Sequence, residues 1–336
     1  MHSSAGRAVD ANHIGDLIHG FYGSAAIFAA FELGVFSELA RVRRSDAAGI
    51  AQALDLNPRS TTLLLDACVA LGLLHKDGDD YFNSLAVENF LVPGRPLEPS
   101  IMVPEKRESY TAWLELPQFV RTGMTAIQPA ETADPETLTA QLLRLHSQRL
   151  ASGRHIVRRL DLERRRTLLE VGGGPGTYSV LIALEFPQIR CTVIDRPQIV
   201  RIASGLIEQL GASAQVATLA GDYRTMQFPP DNDVVLLFGV LHREPHPVEL
   251  LRKAAQSLNP GGIVYVMETM TDESRTRPPR SALLALDFAL TSREGNIFSH
   301  IELQSWMKEA GLGNFAAETL PPPASEWLAH ARKPLQ

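Results

Sequence analysis

The chain has 336 residues, with hydrophobic side chains at 45% and charged ones at 21%, a balance that allows one large or two moderate domains with ample core. That composition excludes a disordered chain, and the net charge of −6 argues against a polyanion as principal partner. The two cysteines, Cys68 and Cys191, make neither a disulfide framework nor a metal-ligand spacing, so both read as reduced core residues and no metal site is expected.

The start, Met1-His2-Ser3-Ser4-Ala5-Gly6-Arg7, lacks an uninterrupted apolar region, and no segment reads as long enough to span a membrane, so a cytoplasmic protein is expected. Ile14, Leu17, Ile18, Phe21 and Tyr22 recur at helical spacing, and Ala25 to Leu39 continues with Phe28, Phe31, Leu33 and Phe36; these are core or interface stripes. Ser45-Asp46 opens a short helix, Asn57-Pro58 starts another through Leu71, and Leu73 to Phe82 reads as a hairpin wing. Together they predict a winged helix, a module that can set a helix into the major groove of DNA. The helix that would enter the groove contains Thr61 to Ala67 with only Arg59 before it, and the wing is acidic, so the electrostatic footprint of nucleic-acid binding is missing. A DNA-binding regulator that senses a small molecule is the alternative of a different class.

Residues 93–140 form a linking region punctuated by Pro93, Pro96, Pro99, Pro104 and the stretch from Gln128-Pro129 to Pro135, with one helix expected from about Glu108 to Arg121. Its Tyr110, Trp113 and Phe119 either line an aromatic pocket or serve as plain core. A helix from Leu138 to Leu160 leads into the next strand.

Leu168 to Val171 is an apolar run that breaks into Gly172-Gly173-Gly174-Pro175-Gly176 and then into a helical pattern. Glycines let the backbone turn tightly against a ligand, and the following helix begins with unpaired N–H groups that face it. A dinucleotide fingerprint fits badly, because counting G-x-G-x-x-G from Gly172 ends on Thr177, and no G-K-[ST] follows to grip phosphates. Glu170 would repel a pyrophosphate but balance an ammonium or sulfonium group, directly or through water; S-adenosylmethionine carries both cations. The next strand ends at Asp195, about 20 residues beyond the turn, where a carboxylate can accept from a ribose. Asp222, after a third short apolar stretch, is placed to meet an adenine amino group. Any one of these acids alone reads as a solvated strand end; the ordered set with the glycine turn does not.

Strands are expected near 167–171, 189–194, 215–219, 233–238 and 263–268, with helices over about 177–185, 197–210 and 247–257 between them. Such alternation means an α/β fold, a Rossmann-like, doubly wound, mostly parallel sheet whose ligands collect at the strand carboxyl ends. The strand ending at Phe238-Gly239 delivers His242 to that edge, and an imidazole with a near-neutral pKa is a candidate general base. After Glu268 come a polar loop and an apolar helix from Ser281 to Leu290.

Glu170 to Gly176, Asp195 with Arg196-Pro197, Gly221-Asp222, Val240-Leu241-His242, Pro260-Gly261-Gly262 and Glu309-Ala310-Gly311-Leu312 follow the order found in class I S-adenosylmethionine-dependent O-methyltransferases of the caffeate, acetylserotonin and antibiotic-tailoring type. The chain resembles that family over about residues 140–336 and, with its amino-terminal region, over nearly its whole length. The resemblance implies a winged-helix dimerisation domain over 1–100 that builds a homodimer, and a methyltransferase domain over 101–336, with linking helices to 160 and the Rossmann-like core from 161. It implies S-adenosylmethionine as cofactor, S-adenosylhomocysteine as product, and cofactor contacts from Glu170, Gly172, Gly174, Gly176, Asp195, Arg196, Asp222, Tyr223, Phe238 and Gly239. His146 and Ser147 lie where the family's helix passes over the methionine end of the cofactor, Ser147 as a cofactor contact and His146 as an acceptor contact. Trp113, Leu284, Asp287 and Phe288 are the other acceptor-pocket candidates, and Glu268 matches an acid that orients the catalytic histidine.

Two departures stand out. The family commonly writes His-Asp-Trp where this chain has His242-Arg243-Glu244, and a second acid expected just after Gly295 is replaced by Ile297. His246, Arg243 and His300 are candidate substitutes. The reading is methylation of a hydroxyl on an aromatic or polyketide-like small molecule in secondary or pigment metabolism. The same-fold alternatives are methylation of carbon or nitrogen, or use of the cofactor for other chemistry.

Overall fold

A computed structural model describes residues 10–94, 102–124, 134–292, 294–321 and 326–335. The expectations for Met1 to Arg7, for Pro96 and Pro99 and for Gln128-Pro129 lie outside the described residues. The chain divides into two compact units between Tyr110 and Thr111.

The first unit opens with α1 (Ala11–His19) and α2 (Phe21–Glu32). Asp10 caps α1 by accepting the His13 N–H, yet α1 buries none of its residues, and Leu17 and Ile18 are 68% and 62% exposed. Ala11–Glu32 is long and apolar enough, by length and composition alone, to cross a membrane, which corrects the expectation that no segment reaches that length. Helices that pair in water-soluble proteins pass the same test, because an apolar stripe serves either partner. There follow α3 (Val35–Val42), β1 (Ser45–Asp46), α4 (Ala47–Ala53), α5 (Pro58–Ala70), β2 (Leu74–Asp77), β3 (Asp80–Asn83), α6 (Leu85–Phe90) and α7 (Met102–Trp113), whose residues from Thr111 on belong to the second unit. Ser45-Asp46 pairs as a strand before its helix starts, with Asp46 as the N-cap; Asn57 caps α5 in the same way. The wing is the β2–β3 hairpin, turned at Gly78 with φ +61°, and the antiparallel sheet runs β1-β3-β2. Phe36, Leu39, Ile50, Leu65, Cys68, Leu74 and Tyr81 fill the core beneath it, and burial pushes the Cys68 thiol up to about 11.

The second unit contains α8 (Leu116–Thr122), α9 (Pro135–Val157), β4 (Thr167–Val171), α10 (Thr177–Glu185), β5 (Arg190–Asp195), α11 (Pro197–Gln209), β6 (Val216–Ala220), β7 (Asn232–Phe238), α12 (Pro247–Ser257), β8 (Leu258–Glu268), α13 (Pro279–Thr291), α14 (His300–Glu309), β9 (Gly313–Thr319) and β10 (Trp327–Arg332). The single helix expected over 108–121 is two helices, α7 and α8, broken at Leu114-Glu115. Pro117 explains the break, because proline is tolerated in a first helical turn and not in an interior.

Among the described residues seven strands form one sheet in the order β6-β5-β4-β7-β8-β10-β9. The first five are parallel, and β10 and β9 close the edge antiparallel. The order reverses between β4 and β7, so a crevice opens there at the strand carboxyl ends. Both faces are covered by apolar layers: Leu168, Val193, Val234, Leu236 and Ile263 face one, and Leu169, Ile194, Val235, Leu237 and Val264 face the other. Central strands buried on both faces explain why they read as continuous apolar runs.

Candidate active site

The crevice holds a pocket of about 400 Å³ lined by Gly172, Gly174, Asp195, Arg196, Asp222, Tyr223 and Gly239, all anticipated from the sequence. A pocket of this size suits a small-molecule ligand. Gly172, Gly174 and Gly176 have φ of +63°, +59° and +71°, which is why this turn needs glycine. A Cβ on Gly172 would sit 2.9 Å from Val240 Cγ2, so the turns after β4 and β7 meet closely at the switch point.

Two of the acids are used differently from one another. Asp195 faces the pocket, with Oδ2 accepting the Gly174 N–H and Oδ1 the Arg196 N–H, each at 2.8 Å; burial raises its pKa against those bonds. Each oxygen has a second lone pair, so the carboxylate can still accept from hydroxyls. Glu170, read as facing the ligand, is instead enclosed beneath the turn. Its Oε2 accepts from Ser179 N and Oγ at 3.1 and 2.5 Å, its Oε1 is buried with no partner, and burial pushes its pKa up. Its side chain lies where a Cβ on Gly173 would fall, 2.9 Å from Cδ. The carboxylate therefore braces the turn and the start of α10.

Other expectations move in the same way. Gly176 caps α10 and Phe238 is core, packed edge-on against Tyr178 at 4.9 Å, and neither lines the pocket. Ser147 is exposed and donates to its own helix at Leu143 O, while His146 is buried with Nδ1 2.9 Å from Thr177 Oγ1. The face of α9 that lines the pocket carries Leu142, Leu145 and Arg149. Sequence reasoning missed Arg149, although the 142, 145, 149 spacing marks one helical face. Its guanidinium donates to Gly173 O at 2.8 Å and lies 5.4 Å from the Tyr178 ring centroid, so it puts a cation at the glycine turn. Arg224, Arg243, Thr291, Ser292 and Glu294 also line the pocket and were not anticipated as binding residues.

Beyond Gly239 a single turn of 3₁₀ helix, Leu241–Arg243, carries His242. His242 Nδ1 is 3.0 Å from Glu268 Oε2, while Glu268 Oε1 accepts the N–H groups of Leu241 and His242 at 2.7 and 3.3 Å. Glu268, at the end of β8 and 4% exposed, thus holds both ring and turn. Phe288 lies against the imidazole at 4.9 Å between centroids, and Asp287 Oδ1 accepts from Trp113 Nε1 at 2.9 Å. Leu284 is half-buried on the same helix. Phe288 and His242 are therefore brought together, as are Trp113 and Asp287. Tyr110 packs edge-on against Phe28 in the first unit. Ile297 is buried and apolar where an acid was looked for. Of the candidate substitutes, His246 is an exposed helix cap, Arg243 lines the pocket, and His300 stacks on Trp327 at 4.9 Å.

The residues present fit S-adenosylmethionine. A turn that a Cβ would obstruct, an apolar wall from Ile199 and Val240, a carboxylate able to accept from ribose hydroxyls and a nearby cation suit an adenosyl group with an amino-acid tail.

Residues 115–313 match the family model of the O-methyltransferase domain, and residues 15–92 match that of the O-methyltransferase dimerisation domain. The chain is 32% identical over 315 residues to acetylserotonin O-methyltransferase of Mus musculus, covering 87% of this chain and 81% of that protein. It is 29% identical to 3-hydroxy-5-methyl-1-naphthoate 3-O-methyltransferase of Streptomyces sahachiroi, over 88% of each. The crystal structure of human N-acetylserotonin methyltransferase in complex with SAM superposes with a TM-score of 0.83 at 27% identity, over 99% of this chain and 100% of that one. The chain thus belongs to the S-adenosylmethionine-dependent O-methyltransferases, and its cofactor is S-adenosylmethionine.

Proposed function

We propose that this enzyme methylates a hydroxyl of an aromatic or polyketide-like small molecule, with His242 as general base. The observation that carries the base assignment is the His242–Glu268 contact of 3.0 Å at the edge of the cofactor crevice. With Nδ1–H donated to the carboxylate, Nε2 keeps its lone pair and is the ring nitrogen left to take a proton. Phe288 fixes the ring plane from the acceptor helix. When bound, S-adenosylmethionine supplies a methyl group on a sulfonium centre. The His242 imidazole would take the acceptor's hydroxyl proton as the oxygen is methylated, with S-adenosylhomocysteine left as the second product. Gly172, Gly174, Asp195, Arg196, Asp222, Tyr223, Gly239 and Arg149 hold the cofactor, and alignment of oxygen with the methyl group does the remainder of the work. Trp113, Leu284, Asp287 and Phe288 form the acceptor side.

The related acetylserotonin and naphthoate enzymes support a flat aromatic acceptor. Ile297, by leaving Glu268 as the matched acid, favours an acceptor whose hydroxyl is already acidic, such as a phenol or enol. The working form is a homodimer built by the amino-terminal domain, in the cytoplasm. Purified enzyme given methyl-labelled cofactor and a panel of phenolic polyketides should place label on oxygen. His242→Ala should lower kcat by about 10²- to 10⁴-fold and leave S-adenosylhomocysteine affinity unchanged. Undiminished turnover would remove the base assignment, and label on carbon or nitrogen would replace the hydroxyl reading.

A further inference from the structure

One side chain ties the cofactor loop to the turn that carries His242. Arg224 follows Asp222 and Tyr223, which line the pocket, and its backbone is pinned by Lys253 Nζ, a donor to the carbonyls of Tyr223 at 2.5 Å and Arg224 at 3.2 Å. From this anchored position the guanidinium reaches three acceptors on two other segments. Nη2 donates to Arg243 O at 2.6 Å and to Glu294 Oε2 at 2.7 Å, and Nε donates to Glu244 Oε2 at 3.2 Å. The catalytic turn is therefore held at both ends: Glu268 takes the amides of Leu241 and His242 at its start, and Arg224 takes the Arg243 carbonyl and the Glu244 carboxylate at its finish. Between them the Asn296 N–H donates to His242 O at 2.8 Å.

We propose that Arg224 is a positioning residue that couples occupancy of the cofactor pocket to the setting of the His242 turn. It acts through Arg243, Glu244 and Glu294, not on the reacting atoms. An exposed ion pair contributes little. Here the Glu244 side chain is only 5% exposed, and one of the bonds goes to the backbone of the turn itself, so removing the guanidinium leaves a nearly buried carboxylate oxygen without its cation. The planar fork matters, because three acceptors in different directions need donors held in fixed geometry, which an ammonium lacks. Linkage is reciprocal: a ligand that orders residues 222–224 biases the turn, and the turn biases affinity for the ligand by the same factor. The proposal rests on the base assignment only for its effect on turnover, and the coupling itself is read by binding.

The test uses the full chain with ¹³C-labelled histidine rings, titrated with S-adenosylhomocysteine. In the wild type the ligand should move the His242 ring resonance, identified by its disappearance in His242→Ala. In Arg224→Ala that movement should vanish, and calorimetry should show binding weakened about fivefold or more. Arg224→Lys, which keeps the charge but not the fork, should recover less than half of the movement. If Arg224→Ala loses its native circular dichroism, Glu244→Gln takes its place and should diminish the movement in the same direction. A wild-type resonance blind to the ligand overturns the coupling, as does a resonance that still moves fully in the folded variant. His242→Ala with undiminished turnover would sink the base assignment alone, since these resonances and affinities do not depend on catalysis.

Discussion

At the scale of the residue, burial decides what each polar group does. His146 sits against Thr177 at the first turn of α10, and burial, helped by the positive Arg149, holds its pKa below the ordinary value of 6.5. The native state thus refuses a proton that the unfolded chain accepts. The stability this group contributes is fully present above about pH 6.5 and is lost as pH falls from there towards the lower native pKa. The thermal midpoint of the wild type should drop more between about pH 7.5 and 5.5 than that of His146→Gln, measured by scanning calorimetry. Comparison with the variant isolates the imidazole from Glu170 and Asp195, whose raised pKa values act with the opposite sign. Equal slopes would show that His146 titrates alike in both states. Residue types and their order were legible in the sequence here, but not their direction: Glu170 turns inward, Ser147 outward, and Arg149 two positions on faces the pocket. Orientation depends on what a helix or strand packs against, and that information lies elsewhere in the chain.

At the scale of the element, the glycine turn was the clearest feature to read, because a positive φ restricts residue type locally. Gly172→Ala places a Cβ 2.9 Å from Val240 Cγ2 at φ +63°. It should destabilise the protein by about 1–3 kcal/mol in urea unfolding and weaken S-adenosylhomocysteine binding. Gly205→Ala, inside α11 with nothing within 4 Å, should instead stabilise by about 0.5–1 kcal/mol. Matching losses in the two variants would refute the strain argument. The strands and helices between 167 and 257 followed their apolar periods closely. What was not read were the antiparallel strands β9 and β10 and the extension of β8 back to Leu258. Strands such as β9, Gly313–Thr319, lack a continuous apolar run and draw their stability from pairing at one sheet edge. The expected helix over 108–121 failed because the pattern was followed through Pro117.

At the scale of the whole molecule, α1 and α2 present an unsatisfied apolar surface, with Leu17, Ile18, Phe21 and Tyr22 all exposed within the segment matching the dimerisation domain and Ile14 exposed just before it. A symmetric partner would cover it. Leu17→Asp should therefore weaken self-association by at least tenfold in analytical ultracentrifugation, about 1.4 kcal/mol or more, and a variant as dimeric as the wild type would place the interface elsewhere. The sequence by itself determined the doubly wound sheet, the glycine turn and the succession of acids and histidine, because strand period, helix period and left-handed backbone are demands that neighbouring residues satisfy among themselves. Only the tertiary structure decided which of those residues share a cavity, that Glu170 turns beneath the glycine turn while Asp195 lines the pocket, and that Arg224 meets Glu294 seventy positions away. Contacts of that kind are set by how packed layers bring distant loops to one edge of the sheet, and no local spacing encodes them.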